Sequence, residues 1–276
     1  MTMIIPHTVR MNDGRYIPQI GLGVLHANHE ETVTAVREAL LAGYRHVDTA
    51  ANYKNEQDVG QGIVESGISR EDVFITTKIW NEAQGEASTR IALFESLEKL
   101  KVDSVDLLLI HWPAPERNLF VETWQTLIDL QKEGLAKSIG VSNFTAQHLQ
   151  RLINETGVTP CINQIELHPY FQQGALRKVH EHLNVRTQAW SPLAQNLALA
   201  DPTIQRIAEK HGKSPAQIVI RWHIDNQFVV IPKSVTPSRI RANLDILNFV
   251  LDADDMTSIQ SLDSSRRLGP DPEDFN

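Results

Sequence analysis

The sequence predicts an α/β protein with the (β/α)8 TIM barrel fold, in which eight parallel strands alternate with eight helices. Short, nearly continuous apolar segments alternate with amphipathic segments along the whole chain. The apolar segments number eight, so 276 residues leave about 34 for each strand–helix unit, a size that suits such a barrel. No linker-like or low-complexity segment interrupts the alternation. We therefore expect residues 1–276 to form a single barrel domain, with an open, doubly wound sheet as the alternative fold.

The strands are predicted from the apolar segments and from the turn signals between them. A short hairpin is expected first, because Asn12-Asp13-Gly14 is typical of a tight turn. The eight barrel strands follow at residues 19–24, 46–49, 73–79, 105–111, 137–141, 162–167, 186–190 and 228–231. Residues 105–110 show why these segments are expected in a sheet buried on both faces, since only Asp106 interrupts the apolar run.

Two helices are predicted from apolar residues that recur on one face. These residues are Ile91, Phe94, Leu97 and Leu100 in the first helix, and Val121, Trp124, Leu127 and Ile128 in the second. Two others are predicted from their first residues, because Asp201-Pro202 and Ser214-Pro215 each place a capping side chain before a proline. Both of the latter lie between the seventh and eighth strands. One is therefore an extra helix, and we assign residues 202–211 to it.

The composition argues against several classes of protein. The net charge is −8 and no basic stripe occurs, so we expect no nucleic-acid partner. No run of about 18 apolar residues is present, so we expect no membrane span. Residues 1–10 are too short for a signal peptide and are interrupted by Pro6 and His7, and we expect a cytoplasmic protein. The single cysteine, Cys161, excludes an internal disulfide and is expected to be a small buried apolar side chain.

Polar and aromatic side chains follow nearly every predicted strand, at the end where such barrels carry their chemistry. They are Asp48, Tyr53, Lys78, His111, Ser142, Asn143, Gln164, His168, Trp190, Lys233 and Ser234. Each one alone has an ordinary structural explanation: Asp48 would cap a turn, for example, and His111 would be a core histidine. These explanations would have to hold together at matching strand ends, so the set favours a catalytic or binding site.

Two other kinds of site are disfavoured. The stretch from Gly21 to His26 lacks the third glycine of the dinucleotide-binding fingerprint, so no Rossmann site is predicted. A metal site built on His46, His111 and His168 stays open as a weak alternative. Lys78 nearby would oppose a cation, and we expect no metal.

Seven segments together resemble the aldo-keto reductases. They are residues 43–50, 53–56, 74–78, 106–113, 139–144, 163–166 and 231–234. Three more, residues 157–160, 164–169 and 266–272, are similar to the bacterial 2,5-diketo-D-gluconate reductase branch of that family. The resemblance covers nearly the whole chain. It implies a barrel, an NADPH cofactor and the reduction of carbonyl compounds, with 2,5-diketo-D-gluconate, methylglyoxal and keto esters as candidate substrates.

The resemblance places a catalytic tetrad at Asp48, Tyr53, Lys78 and His111. Hydride transfer to a carbonyl carbon leaves negative charge on the oxygen, and Tyr53 is expected to donate the proton. Lys78 is expected to lower the pKa of Tyr53, and Asp48 is expected to hold Lys78 in place. His111 is expected to donate a hydrogen bond to the same oxygen and to orient the substrate.

Ten residues match the positions that bind the cofactor in the family. Those on the nicotinamide side are Ser142, Asn143, Gln164 and the stacking ring of Trp190. Those on the phosphate and adenosine side are Ser191, Leu193, Lys233, Ser234, Arg239 and Asn243. Lys233 and Arg239 are expected to select the 2′-phosphate of NADPH, since paired cations suit a phosphate.

Trp80, Trp112 and Leu25 match the walls of the substrate cleft, beside His111. Leu25 replaces an aromatic residue of many relatives, which predicts a wider cleft on that side. We expect a monomer that acts on a small carbonyl substrate. The alternative function is an NADPH-binding regulatory barrel with little turnover.

Overall fold

The computed structural model describes residues 7–276. It begins with the predicted hairpin, formed by the antiparallel strands β1 (Thr8–Arg10) and β2 (Tyr16–Pro18). Gly14 completes the turn with a φ of 87°, a conformation that glycine adopts at little cost. Ser138 Oγ donates a 2.5 Å hydrogen bond to Asp13 Oδ2 and fastens the turn to the barrel. Residues 1–6, on which the signal-peptide expectation partly depends, lie outside the described residues.

The predicted barrel is confirmed, with eight parallel strands whose spatial order follows the chain. They are β3 (Leu22–Gly23), β4 (His46–Asp48), β5 (Phe74–Ile79), β6 (Val105–Ile110), β7 (Ala136–Ser142), β8 (Ile162–Glu166), β9 (Arg186–Trp190) and β10 (Val229–Val230). The sheet closes because Ile20 pairs with Val230 and Gly23 pairs with Lys233, both in parallel. The doubly wound alternative is therefore wrong.

Ten α-helices are present between residues 7 and 276. They are α1 (His29–Ala42), α2 (Glu56–Ser66), α3 (Glu86–Leu100), α4 (Phe120–Lys132), α5 (Ala146–Thr156), α6 (Gly174–Leu183), α7 (Pro202–His211), α8 (Pro215–Asp225), α9 (Pro237–Leu244) and α10 (Ala253–Gln260). Helices α7 and α8 both separate β9 from β10, which confirms the extra helix. Asp201 and Ser214 cap them as predicted, each accepting a hydrogen bond from a backbone N–H.

The predicted apolar face of α3 is wrong at two positions. Ile91 and Phe94 are 60% and 53% exposed, whereas Leu93, Leu97 and Leu100 are buried. A spacing of three residues falls short of the helical repeat by about 60° at each step, so the four predicted residues spread around half of the helix. In α4 the prediction is better, because its positions are spaced by three and by one.

A buried aspartate and two partly exposed cations at the amino end of the barrel fix β6 to its neighbours. Asp106 accepts hydrogen bonds from Arg70 Nη2 at 2.7 Å, Lys137 Nζ at 2.8 Å and the Ile75 N–H at 2.9 Å. Because the active sites of such barrels lie at the opposite end, this cluster serves stability.

The structure bears on two of the expectations from the composition. Cys161 is buried and unpaired with any other cysteine, as the single thiol in the sequence requires. Among residues 7–276, no helix combines the length and the apolar character that crossing a bilayer needs.

Candidate active site

Asp48 and Lys78 form an ion pair at the carboxyl ends of β4 and β5. Lys78 Nζ lies 2.5 Å from Asp48 Oδ1 and 2.8 Å from the backbone oxygen of Thr49. The two side chains are 1% and 0% exposed, and buried charges persist only where they are paired and hydrogen-bonded. The other carboxylate oxygen, Oδ2, accepts a 2.7 Å hydrogen bond from Gln164 Nε2. Asp48 therefore fixes Lys78 in one position.

Tyr53 lies against this ion pair. Its hydroxyl oxygen is 3.5 Å from Lys78 Nζ, and the same nitrogen is 5.1 Å from the centre of the ring. Burial raises the pKa of the Tyr53 phenol, Lys78 lowers it in part, and the net pKa is above its ordinary value. Lys78 thus lowers the pKa of Tyr53 as expected, but the burial of the phenol, which the sequence does not show, outweighs this effect. Tyr53 is protonated at neutral pH, as a proton donor must be.

Lys78 and His111 differ in their protonation at neutral pH: Lys78 is charged, and His111 is neutral. Burial lowers the pKa of Lys78, but Asp48 and Tyr53 raise it more, and the net pKa is above its ordinary value. Burial, together with Lys78, holds the pKa of His111 well below its usual range. The site at neutral pH therefore contains one ammonium cation and one neutral imidazole. The His111 ring centre is 5.6 Å from that of Tyr53, so both polar groups border the same space.

Three aromatic rings surround that space. The ring centres of Trp80 and His111 are 5.1 Å apart. Phe275 lies 4.5 Å from Trp112 and 6.0 Å from Trp80, so the end of the chain contributes to the cleft. Phe275 is not among the residues predicted to line the cleft. Leu25 follows β3 at the same end of the barrel and is 41% exposed, and its contribution to the cleft stays a prediction.

The four residues assigned to the nicotinamide side are joined by hydrogen bonds. Trp190 Nε1 donates to Asn143 Oδ1 at 2.8 Å. Asn143 Nδ2 donates to Ser142 Oγ at 3.1 Å and to the backbone oxygen of His111 at 3.0 Å. Ser142 Oγ donates to the backbone oxygen of Gln164 at 2.8 Å. Since the Gln164 amide binds Asp48, a continuous polar network connects Trp190 to the tetrad.

The residues assigned to the adenosine side meet at one cavity of about 730 Å³. The predicted residues that line it are Leu193, Lys233, Ser234, Arg239 and Asn243. Ser191 lies between Trp190 and Leu193 with a φ of 49° but does not line this cavity, and its contact with the cofactor stays a prediction. Sequence reasoning missed several polar residues of the lining, namely Asn196, Ser214, Thr236 and Ser238. Little in the sequence marks these residues as part of a binding site, because short polar residues are common in all loops.

Comparison with known proteins identifies the family. The aldo/keto reductase family model matches residues 19–264. This chain belongs to the aldo/keto reductase family. It is 54% identical over 268 residues to an aldo-keto reductase of Mycolicibacterium smegmatis, covering 97% of this chain and 98% of that protein. It is 52% identical over 275 residues to the methylglyoxal reductase DkgA of Escherichia coli, covering 99% of each.

Solved structures agree with this membership. A variant of Gox0644 crystallised in complex with NADPH superposes with a TM-score of 0.95 at 50% identity, covering 98% of this chain and 99% of that one. The resemblance seen in the sequence is thus confirmed, and so is the expectation of a barrel. At the level of the family, the expectation of an NADPH-dependent oxidoreductase is confirmed as well.

This aldo/keto reductase supplies groups that fit NADPH. Lys233 and Arg239 border the cavity and form no ion pair within residues 7–276, so their charges are available to a phosphate. Among those same residues, no three histidine, cysteine or acidic side chains lie close enough together to hold a metal ion. His168, one of the three histidines of the metal alternative, hydrogen-bonds Glu166.

Proposed function

We propose that this aldo/keto reductase reduces small aldehydes and ketones to alcohols with NADPH, and that methylglyoxal, 2,5-diketo-D-gluconate and keto esters are among its substrates. One observation carries the proposal: a protonated tyrosine, a lysine cation and a neutral histidine border one cleft. The likeness to the methylglyoxal reductase of Escherichia coli supports the choice of dicarbonyl substrates.

The chain supplies a site for the nicotinamide beside this cleft. Ser142, Asn143 and Gln164 offer amide and hydroxyl groups to a carboxamide, and Trp190 offers a ring for stacking. Bound NADPH supplies the hydride to the carbonyl carbon. Because Gln164 also binds Asp48, the position of the cofactor and that of the proton donor are set by one network.

Proton donation falls to Tyr53. As the carbonyl carbon is reduced, its oxygen takes the proton from the Tyr53 hydroxyl. Lys78, 3.5 Å from that hydroxyl, stabilises the phenolate that remains. Neutral His111 donates a hydrogen bond to the same oxygen, and it does so without adding a second positive charge beside Lys78.

Specificity for NADPH is assigned to Lys233 and Arg239. NADPH and NADH differ only in the 2′-phosphate, so only groups that reach this phosphate can distinguish them. Two cations at one cavity with hydroxyl groups around it, including that of Ser234, offer charge-assisted hydrogen bonds to a phosphate.

The cleft favours small substrates. Phe275 packs against both Trp80 and Trp112 around the space next to His111, and a bulky steroid would have to displace these rings. The whole chain, residues 1–276, is proposed to act as a single-domain monomer in the cytoplasm. In support of this, one chain contributes the tetrad, the aromatic cleft and the cation-lined cavity.

The deciding experiment is a steady-state assay of methylglyoxal, a keto ester, 2,5-diketo-D-gluconate and a steroid ketone, each with NADPH and with NADH. We expect oxidation of NADPH with the small dicarbonyls and a much lower kcat/KM for the steroid. Tight NADPH binding without turnover of any carbonyl would instead favour the regulatory barrel. Size-exclusion chromatography with light scattering tests the monomer, since a mass near 62 kDa, about twice that of the 31.1 kDa chain, would contradict it.

A further inference from the structure

Residues 264–276, here called the C-terminal strap, cross the carboxyl end of the barrel. The strap begins beside β8, where the N–H groups of Ser264 and Arg266 donate to the backbone oxygen of Tyr170 at 3.1 and 3.0 Å. It ends beside the loop after β6, where Asn276 Oδ1 accepts a 2.7 Å hydrogen bond from the Glu116 N–H. This path of the strap brings Phe275 to the cleft.

One buried carboxylate fastens the middle of the strap. Glu166 is the last residue of β8, and its Oε1 accepts hydrogen bonds from the Leu268 N–H at 2.6 Å and from His168 Nε2 at 2.9 Å. Its Oε2 accepts from the Gly269 N–H at 2.9 Å. The Glu166 and His168 side chains are both 0% exposed.

The Glu166 carboxylate is ionised but takes no part in the proposed carbonyl reduction. Burial alone would raise its pKa, but the bonds from His168, Leu268 and Gly269 bring the net pKa below its ordinary value. Glu166 contacts neither Tyr53 nor Lys78, and no step of carbonyl reduction needs it. A buried anion that binds two successive strap N–H groups is a specific anchor, since such charge-assisted bonds are strong.

The anchored residue Gly269 also packs against Trp190. A Cβ atom at position 269 would collide with the far edge of the Trp190 ring and would lie 3.0 Å from Glu166 Oε2. Only glycine leaves room for both contacts. The strap is thereby held against the ring that is assigned to stack on the nicotinamide.

We propose that Glu166, oriented by His168, is a positioning residue that latches the C-terminal strap, so that the strap braces Trp190 and places Phe275 over the substrate cleft. The latch itself stands on the contacts above. Its consequences for substrate and cofactor rest on the proposed function. Glu166 acts through the strap and touches no reacting atom.

The first test is limited proteolysis by trypsin of Glu166→Gln in the full chain. The amide keeps the size of the side chain and removes the charge that two backbone donors share. Losing even one charge-assisted bond corresponds to about a tenfold change in the opening equilibrium. We therefore expect cleavage after Arg266 or Arg267, followed by mass spectrometry, to become about tenfold faster. Unchanged cleavage would overturn the latch, whether or not the enzyme is active.

The matched control is Glu273→Gln. Glu273 lies on the same strap, but its side chain is half-exposed and only approaches His148 Nε2, at 3.8 Å. We expect the cleavage rate of Glu273→Gln to stay within about twofold of that of the unchanged chain, because exposed ion pairs contribute little to stability. If cleavage of Glu273→Gln were accelerated as much as that of Glu166→Gln, loss of any charge near the strap would release it, and the specific role of Glu166 would be overturned.

The second test asks whether Glu166 acts through Phe275. Glu166→Gln and Phe275→Ala should each raise the KM for methylglyoxal several-fold more than they lower kcat. Their combination should do no more than the larger single change, because both act on one contact. Effects on KM that multiply in the double variant would overturn this link.

Gly269→Ala probes the latch from the strap and covers the case in which Glu166→Gln fails to fold. The added methyl group should push the strap from Trp190, speed tryptic cleavage and shift the tryptophan fluorescence. Cleavage and fluorescence that match those of the unchanged chain would overturn the proposal. Absence of carbonyl reduction in the unchanged chain would refute the proposed function instead, since neither readout depends on turnover.

Discussion

The two ends of the barrel each bury an aspartate among cations, yet only one of these clusters is built for chemistry. At the amino end, Arg70 and Lys137 both bind Asp106, and their side chains remain 29% and 39% exposed. At the carboxyl end, Lys78 and Asp48 are almost fully buried. A buried ion pair therefore does not by itself identify an active site.

The difference lies in what surrounds each pair. The two carboxylate oxygens of Asp106 accept hydrogen bonds from Arg70, Lys137 and the Ile75 N–H, so both oxygens are already bonded. Lys78 also approaches the Tyr53 hydroxyl, and Nδ1 of the neighbouring His111 is buried with no hydrogen-bond partner among residues 7–276. Polar groups with unused hydrogen-bonding capacity next to a cleft are costly to the fold, so their presence favours function.

The largest effect is expected at the carboxyl end. Tyr53→Phe removes the proton donor and leaves the Asp48–Lys78 pair in place, so kcat for methylglyoxal should fall at least about 10²-fold. The Kd for NADPH, measured by titration of protein fluorescence, should stay nearly unchanged. A variant with near-normal kcat would remove the chemical distinction between the two ends.

The second effect concerns cations at the carboxyl end that form no ion pair among residues 7–276. Hydrogen bonds to charged groups contribute about 1.5–3 kcal/mol, so Arg239→Ala should weaken NADPH binding about 10- to 150-fold and leave NADH binding unchanged. Arg241→Ala is the control, because Arg241 lies on the same helix and pairs with Glu38 at 3.0 Å. Equal losses for both nucleotides would mean that Arg239 supports the cavity without contacting the phosphate.

The third change tests the amino end. Asp106→Asn should lower the free energy of unfolding by about 1–2 kcal/mol, a modest loss because the two cations can turn to water. The kcat should not change. Urea denaturation and steady-state assays of the same preparation measure both quantities, and a large fall in kcat would show that the amino end also serves catalysis.

The smallest effect is expected from pH. Because the pKa of His111 is well below 6.5 and the pKa values of Tyr53 and Lys78 are raised, none of these three groups should titrate between about pH 6 and 8. Because the pKa of Tyr53 is raised, loss of the proton donor should begin only in strongly alkaline solution. A kcat that is flat across pH 6–8 agrees with this assignment, whereas an inflection near pH 6.5 that disappears in His111→Gln would contradict it.

The alternation of strands and helices, the extra helix and the chemistry at the strand ends could all be predicted from the sequence alone. These features are local: an apolar run marks a buried strand, a proline after a capping residue begins a helix, and a polar residue marks where a strand leaves the core. The carboxyl ends of parallel strands meet at one edge, so residues as distant as Asp48 and Gln164 could be assigned to one site.

Features that depend on burial or on distant segments became known only from the folded protein. The buried face of α3 depends on which neighbours cover it, and Ile91 and Phe94 remain exposed. The pKa of Tyr53 depends on the balance between the burial of the phenol and the nearby cation, and burial outweighs Lys78. The contact of Glu166 with Leu268 joins residues 102 positions apart. No local pattern encodes such a contact, because it forms only when the closed barrel brings the end of β8 beneath the strap.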